Sequence, residues 1–398
     1  MKSQALGLAL LGLLAGCVEK KQEAKKETPA PGVAPAQPAA PAPTAEGEFI
    51  LFGEYGSLTG SEATFGISTK QGVDTAVKEL NDAGGVLGKK IKVIVYDDQG
   101  KPEEAVTAVT KLITQDKVHV VLGEVASSRS LAAAPVCQNN KVPMITPSST
   151  NPRVTETGDF IFRVCFIDPF QGTVMAQFAA DHLKVKTAAI FRDKSSDYSM
   201  GLADYFQKAF EAKGGKIVAD EAYNSADTDF KAQLTSMKGK NPEAIFVPGY
   251  YTQVALVARQ ARELKITVPL LGGDGWDSSK LFEIGGKALD GCYFSNHTSN
   301  DDPRPELQQF ITRYKQQWGE APDSLAVMGY DAALVAADAI KRAGKLDRQA
   351  IRDALAQTKD FKGASGSITL DAQRNANKPA VVLKIQDGKA SFVTSIAP

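Results

Sequence analysis

The chain has 398 residues, too many for one ordinary core, so two domains are expected. Apolar residues make up 43 % and charged residues 23 %, the usual balance of a soluble globular protein. Lys plus Arg equals Asp plus Glu at 46 each, and a formal charge of zero argues against nucleic acid as the main partner, because phosphate binding needs a basic field.

The first segment, MKSQALGLALLGLLAGC, has a positive Lys2 and an apolar run from Ala5 to Ala15. That run is too short to span a bilayer and reads as the core of a secretory signal. Its closing residues, LAGC, resemble a bacterial lipobox, which implies cleavage before Cys17 and lipidation of that cysteine; the alternative is a plain signal peptide with an incidental cysteine. Residues 1–16 are set apart as a lipoprotein signal peptide. Residues 18–48 hold six prolines and no aromatic side chain. They cannot bury enough apolar area to offset ordering, so 17–47 reads as a disordered Pro/Ala-rich tether, and 30 such residues at ~3.1 Å each reach ~90 Å when extended.

From Phe49 onward strands and helices alternate. FILFGEY is a strand, and GISTKQGVDTAVKELNDAGG a helix with Val73, Val77 and Leu80 on one face and a glycine pair at its end. KKIKVIVYDD is a strand, PEEAVTAVTKLITQD a helix opened by Pro102 and two acids, VHVVLGEV a strand, SRSLAAAPVCQNN a helix and VPMIT a strand. The series restarts after Phe166 and runs through the strands TAAIFRD, KIVADEAY, AIFVPGY, VPLLGGD and DGCYFSN with helices between them. Helices dominate from Pro303 to Thr358, and a short β segment with a turn at Asp387 and Gly388 closes the chain. The alternation means an α/β fold with parallel sheets and right-handed crossovers, and two successive series mean two lobes. No later run of 18 apolar residues occurs, so the body is expected to be soluble.

Ligands of open parallel sheets lie beyond the carboxyl ends of the strands, where helix N-termini present unpaired N–H groups. After VHVVLGEV come Ala126, Ser127 and Ser128; after VPMIT come Ser148, Ser149 and Thr150; after TAAIFRD comes Tyr198; after AIFVPG come Tyr250 and Tyr251; after VPLLGG come Asp274 and Trp276. Hydroxyls stand on the first lobe's edge, aromatics and a carboxylate on the second's. That division suits a small zwitterion held between the lobes. Taken singly, residues 148–150 are a polar turn, Asp274 a helix cap and the tyrosines half-buried aromatics; it is their convergence that favours a site. Asp277 is the better cap for the helix at Ser278, which leaves Asp274 free. Trp276 either lines the pocket or sits at the cleft rim, and Glu124 either faces the cleft or is solvated or capping. The three histidines, His119, His182 and His297, follow no strand-end motif, and no HExxH or CxxC spacing occurs, so no enzyme, metal or cofactor is expected.

The stretches DAGGVLGKKIKVIVYDDQGKPEEAVTAVTKLI, GEVASS, MITPSSTNP, DKSSDYSMGLA, GYYTQVALVARQARELKI and GGDGWDS resemble the periplasmic branched-chain amino-acid binding proteins, the type I solute receptors of ABC importers best known as leucine/isoleucine/valine-binding proteins. The resemblance covers essentially all of 48–398. It implies two Rossmann-like lobes, 48–165 with 297–377 and 166–296 with 378–398, joined by a hinge of three crossings near 164–167, 295–298 and 375–380. It implies that Ser127, Ser148 and Thr150 meet the ligand carboxylate and ammonium, with Ser149 in the same loop; that Tyr198 closes over the polar end; and that Asp274 pairs with the ammonium, where leucine-type receptors usually carry glutamate. Phe65, Val125, Tyr250 and Tyr330 match the side-chain subsite, Phe65 in place of a tyrosine. The receptors' disulfide has no counterpart, since the corresponding places are near Gln99 and at Ala126; Cys137, Cys165 and Cys292 are then buried free thiols, or one pair and one leftover.

The function these readings imply is a monomeric, lipid-anchored receptor outside the cytoplasm, in the periplasm or at the cell surface. It would capture a branched-chain or other apolar amino acid and hand it to the membrane subunits of an ABC permease, without binding nucleic acid. The alternative is a ligand-sensing module for urea, an amide or another small molecule without transport.

Overall fold

A computed structural model describes residues 47–398. The signal peptide, the lipidation of Cys17 and nearly all of the tether therefore lie outside the described residues.

The described chain begins with β1 (Phe49–Gly56), α1 (Ala63–Asp82), β2 (Lys90–Asp97), α2 (Pro102–Thr114), β3 (Val120–Leu122), α3 (Ser127–Asn139), β4 (Met144–Thr146), α4 (Arg153–Glu156) and β5 (Ile161–Arg163). It continues through α5 (Asp168–Gln177), a π-helical turn (Phe178–His182), β6 (Thr187–Asp193), α6 (Asp197–Ala212), β7 (Lys216–Tyr223), α7 (Lys231–Lys238), β8 (Ala244–Phe246) and α8 (Tyr251–Glu263). There follow β9 (Leu270–Gly272), a 3-10 turn (Asp274–Trp276), α9 (Ser279–Gly285), a second 3-10 turn (Gly286–Leu289) and β10 (Tyr293–Asn296). The chain ends with α10 (Pro305–Trp318), α11 (Ser324–Ala343), α12 (Arg348–Ala356), β11 (Phe361–Gly363), β12 (Gly366–Ile368), β13 (Ala380–Gln386) and β14 (Lys389–Ile396).

Local chemistry explains many of these boundaries. Pro102 opens α2 with Glu103 and Glu104 in its first turn, where fixed φ and negative charge suit a helix N-terminus. Asp323 and Asp347 cap α11 and α12 by accepting the N–H groups of Ala326 and Ala350. The hairpin from β13 to β14 turns through Asp387 (φ 50°) and Gly388 (φ 72°), the positive pair that a two-residue turn needs.

The first sheet has the order β2-β1-β3-β4-β5 and is parallel throughout. The second has the order β14-β13-β10-β9-β8-β6-β7. Its core repeats the winding of the first, but β13 and β14 join it antiparallel, so the expectation of purely parallel sheets holds only for the first. Strand β5 was not foreseen: it is three residues long, and Arg163 interrupts its apolar run. Each sheet is covered on both faces. Helices α1, α10, α11 and α12 pack on one face of the first sheet and α2 and α3 on the other. Helices α7, α8 and α9 cover one face of the second and α5 and α6 the other. Helices α1 and α11 approach so closely that a Cβ on Gly72 would lie 1.9 Å from the Ala326 carbonyl oxygen, so this crossing requires glycine. Cys137, Cys165 and Cys292 are buried free thiols, the first of the two arrangements expected. Among the described residues no helix is long and apolar enough to cross a membrane.

Glu54 of β1 is buried against α1, and that burial, then the nearby Asp74, pushes its carboxyl up to about 8. A raised value means that the folded state holds this proton more tightly than the unfolded chain. Its contribution to stability is therefore whole below the ordinary value of 4.5 and is lost as pH rises through about 8. A shift of this size corresponds to on the order of 5 kcal/mol. Glu54→Gln, which cannot ionise, is expected to match the wild type in acid and to become progressively more stable than it towards pH 8. Urea unfolding across pH reads this out, and parallel curves for the two proteins would refute it.

Candidate functional site

The order β2-β1-β3 reverses direction beside β1, and β7-β6-β8 does the same beside β6, so each sheet has a switch point where a crevice opens at the strand ends. Between the two crevices lies a narrow cavity with about 10 Å³ of water-accessible room. Phe65, Val125, Ser148 and Leu325 line it from the first-sheet side, and Tyr198, Tyr250, Asp274 and Gly275 from the second. It has room for about one water, far below the ~300–1,000 Å³ of clefts that take drug-sized molecules, so a bound molecule has to part the side chains that line it. Around it the two sides touch through a few hydrogen bonds. Asp197 N–H donates to Ser128 Oγ at 2.9 Å, Asn151 Nδ2 to the Asp197 carbonyl at 2.9 Å, and Thr64 N–H to the Tyr251 hydroxyl at 3.3 Å.

One end of the cavity is apolar. The Tyr250 ring stacks on Tyr198 at 5.2 Å between centroids and meets the edge of Phe65 at 5.4 Å, while Val125 and Leu325 complete the wall. The other end is built around Asp274, which is 4 % exposed. Gln171 Nε2 donates to its Oδ1 at 2.7 Å and the Tyr198 hydroxyl to the same oxygen at 2.9 Å. Ser148 Oγ lies 3.3 Å and His297 Nε2 3.0 Å from Oδ2. Burial by itself would push the Asp274 carboxyl up, but donation from His297, Gln171 and Tyr198 outweighs it and holds the group below its usual range. Burial, then the Asp274 charge, pushes the Tyr198 phenol well above its ordinary range, so it remains a donor. Helix α3 starts beside the cavity with no side-chain cap on its first N–H groups, the setting that favours a carboxylate.

Of the residues singled out in the sequence, the fold thus brings Phe65, Val125, Ser148, Tyr198, Tyr250 and Asp274 together. Ser127, Ser149 and Thr150 are buried beside this set but are not part of the cavity wall. Ser127 Oγ accepts the Asn151 N–H at 3.2 Å. The Ser149 hydroxyl turns away to Ser130 Oγ at 2.7 Å and the Val125 carbonyl at 2.9 Å, so its side chain ties the loop to the start of α3. The Thr150 hydroxyl is buried beside the Asp168 carboxyl.

Two expectations need correction. Tyr330 follows Leu325 by five residues on α11, about 140° around the helix. It therefore points away from the cavity, its hydroxyl donating to Glu79 Oε2 at 2.9 Å and its ring lying 4.6 Å from Phe310. Trp276 neither lines the pocket nor sits at a rim. It is fully buried, because its indole N–H finds a partner in the Val247 carbonyl at 3.0 Å and its ring fills the space left by Gly272. Two smaller points also differ. Ser278 rather than Asp277 caps α9, and Glu124 is buried, with Arg129 Nε 3.1 Å from its Oε2.

Besides Gly275, three site residues were missed in the sequence. Leu325 opens a capped helix and Gln171 lies in the first turns of α5, and neither carries a local signal. His297 did carry one: it directly follows the last residue of β10, contrary to the reading that no histidine follows a strand end. Its Nε2 is also 3.0 Å from Ser148 Oγ, which raises the question of a nucleophile and base. The geometry argues against that pairing. In a serine–histidine–aspartate triad the hydroxyl and the carboxylate use different ring nitrogens. Here both share Nε2, while Nδ1 is buried without a partner. A bare Nε2 lone pair would be repelled by the carboxylate at this distance, so Nε2 carries the proton and donates to Asp274. It has no lone pair left to take the Ser148 proton.

The family model described as periplasmic binding protein matches residues 52–390. A Leu/Ile/Val-binding protein homolog from Brucella suis is 30 % identical over 351 residues, covering 86 % of this chain and 93 % of the relative. The crystal structure of a leucine binding protein, LivK, from Thermotoga maritima superposes with a TM-score of 0.85 at 40 % identity, covering 88 % of this chain and 99 % of that one. The branched-chain amino acid transporter substrate binding protein LivJ from Streptococcus pneumoniae, in complex with isoleucine, superposes with a TM-score of 0.84 at 34 % identity, covering 88 % of this chain and 100 % of that one.

Proposed function

The chain belongs to the periplasmic binding protein family, and from that footing we propose that it is a receptor for an apolar α-amino acid, leucine or isoleucine first, which it delivers to an ABC importer. The observation that carries this reading is the two-ended cavity. Asp274 stands at one end for an ammonium, the uncapped start of α3 and the residue 148–150 loop stand nearby for a carboxylate, and Phe65, Val125, Tyr250 and Leu325 stand for a branched side chain. A buried acid held below its usual range is ionised at neutral pH, which suits a cationic partner.

In this reading the lobes are 48–165 with 297–377 and 166–296 with 378–398, and the three crossings between them are the hinge. Support comes from the strands, since the first sheet draws only on 49–163 and the second on 187–396. Closure would follow from differential affinity: a ligand that touches Ser148 on one side and Asp274 on the other binds the closed form better and adds to the hydrogen bonds that already bridge the mouth. The same reading places the folded body in the periplasm or at the cell surface, tethered through a lipid on Cys17 and working as a monomer with the permease subunits.

A thermal-shift panel of the amino acids tests the ligand class. Leucine or isoleucine at about 100 times its dissociation constant is expected to add about 2.7 kcal/mol of stability. A panel in which no apolar amino acid moves the transition would refute the reading.

A further inference from the structure

Asp274 has more donors than an acid reserved for a ligand's amino group needs. A carboxylate offers about four acceptor positions. Gln171 and Tyr198 fill two on Oδ1, and Ser148 and His297 fill two on Oδ2. The last donor is unusual in its origin. His297 lies in the segment that leaves the second sheet after β10, and its ring is held at 4.1 Å from that of Phe166, which lies in another segment between the sheets. Its side chain is 1 % exposed, so its place beside Asp274 is built into the packing of the crossings.

A buried carboxylate with no donor is costly, and that cost is what makes an ammonium-binding site reject ligands without an amino group. Here the protein's own side chains already meet it. From this geometry we infer that His297 is a specificity-determining residue, a built-in substitute for the ligand's amino group, and that the cavity therefore also accepts carboxylic acids of the same side chain that lack it. This rests on, and deepens, the amino-acid reading above. An entering α-ammonium takes the place of His297 on Oδ2, whereas a simple or 2-oxo carboxylate leaves all four donors in place and uses the rest of the site.

Calorimetry on the whole chain with leucine and 4-methylpentanoate, which is leucine with hydrogen in place of the amino group, tests the inference. The wild type is expected to bind both, preferring leucine by less than about a hundredfold, far below the ~10⁴-fold rejection shown by sites that depend on a ligand donor. In His297→Ala the preference for leucine is expected to grow by about tenfold or more, because Asp274 loses a donor only in the complex without the ammonium. His297→Gln, which keeps an N–H, is expected to return most of the tolerance. The quantity read is the ratio of the two affinities. A merely structural role for His297 lowers both alike, leaves the ratio unchanged and overturns the inference, as does a wild type that binds leucine but not 4-methylpentanoate. If the alanine variant does not fold, the same ratio is read on His297→Phe, which keeps a ring against Phe166 without a donor. A wild type that binds 4-methylpentanoate but not leucine overturns the amino-acid reading alone, and binding of neither overturns both.

Discussion

Asp274→Ala is expected to weaken leucine binding by about 30-fold to several thousandfold while the chain stays folded. The range corresponds to the ~2–5 kcal/mol lost when one partner of a buried, hydrogen-bonded charge pair is truncated. Four side chains converge on this carboxylate, with no Lys or Arg among them to neutralise it, and it is the one acid on the cavity wall, so it is the full negative charge that an entering ammonium meets. The fold should survive because Asp274 lies in a short 3-10 turn whose position is also held by the buried Trp276 beside it. Calorimetry gives the affinity and far-ultraviolet circular dichroism the fold. Leucine affinity within threefold of wild type would remove Asp274 from the ammonium's place. The loss for 4-methylpentanoate is expected to be much smaller, since that ligand never pairs with the acid.

Arg163→Met is expected to cost about 3–5 kcal/mol of stability and to weaken ligand binding with it. Arg163 is fully buried at the end of β5. Its guanidinium donates to the Ser149 carbonyl, to the Asn151 carbonyl at 2.8 Å, to the Pro152 carbonyl at 3.2 Å and to Thr155 Oγ1 at 3.1 Å. One side chain thus holds the whole loop that carries Ser148. Methionine keeps the stem's volume but leaves those acceptors buried and unpaired, which is the expensive case. Because the loop's geometry depends on them, affinity should fall even at temperatures where the variant is folded. Thermal unfolding and leucine calorimetry on the same preparation check both parts, and a variant as stable as wild type would show that the carbonyls find other partners.

Legibility in the sequence followed the range of the forces involved. Helix α2 was readable because a proline and two first-turn acids sit at the boundary they set, whereas α11 and α12 were read only as part of a helical stretch from Pro303 to Thr358, although Asp323 and Asp347 cap them. The strand ends marked Ser148, Tyr198, Tyr250 and Asp274 because a parallel sheet delivers every carboxyl end to the same edge. Strand β5 was missed because three residues carrying an arginine have no period to read; its arginine makes sense only once the loop it anchors is in place. Tyr330 and Trp276 were misplaced because burial of a large aromatic depends on which way a helix or turn faces and on where its polar atom finds a partner. His297 was passed over although its position after a strand was visible.

By itself, then, the amino-acid order determined the alternation of strands and helices, the two series, and the kinds of side chain offered at the strand ends, because these arise from contacts a few residues long. The tertiary structure alone decided that Asp274 is met by Gln171, Tyr198, Ser148 and His297, that Leu325 rather than Tyr330 faces the cavity, and that one histidine serves an acid and not a hydroxyl. The physical reason is directional: a hydrogen bond needs its two atoms within about 3 Å and aligned, and residues 23 to 126 positions from Asp274, on different elements, reach that distance only when both sheets and the crossings between them have packed.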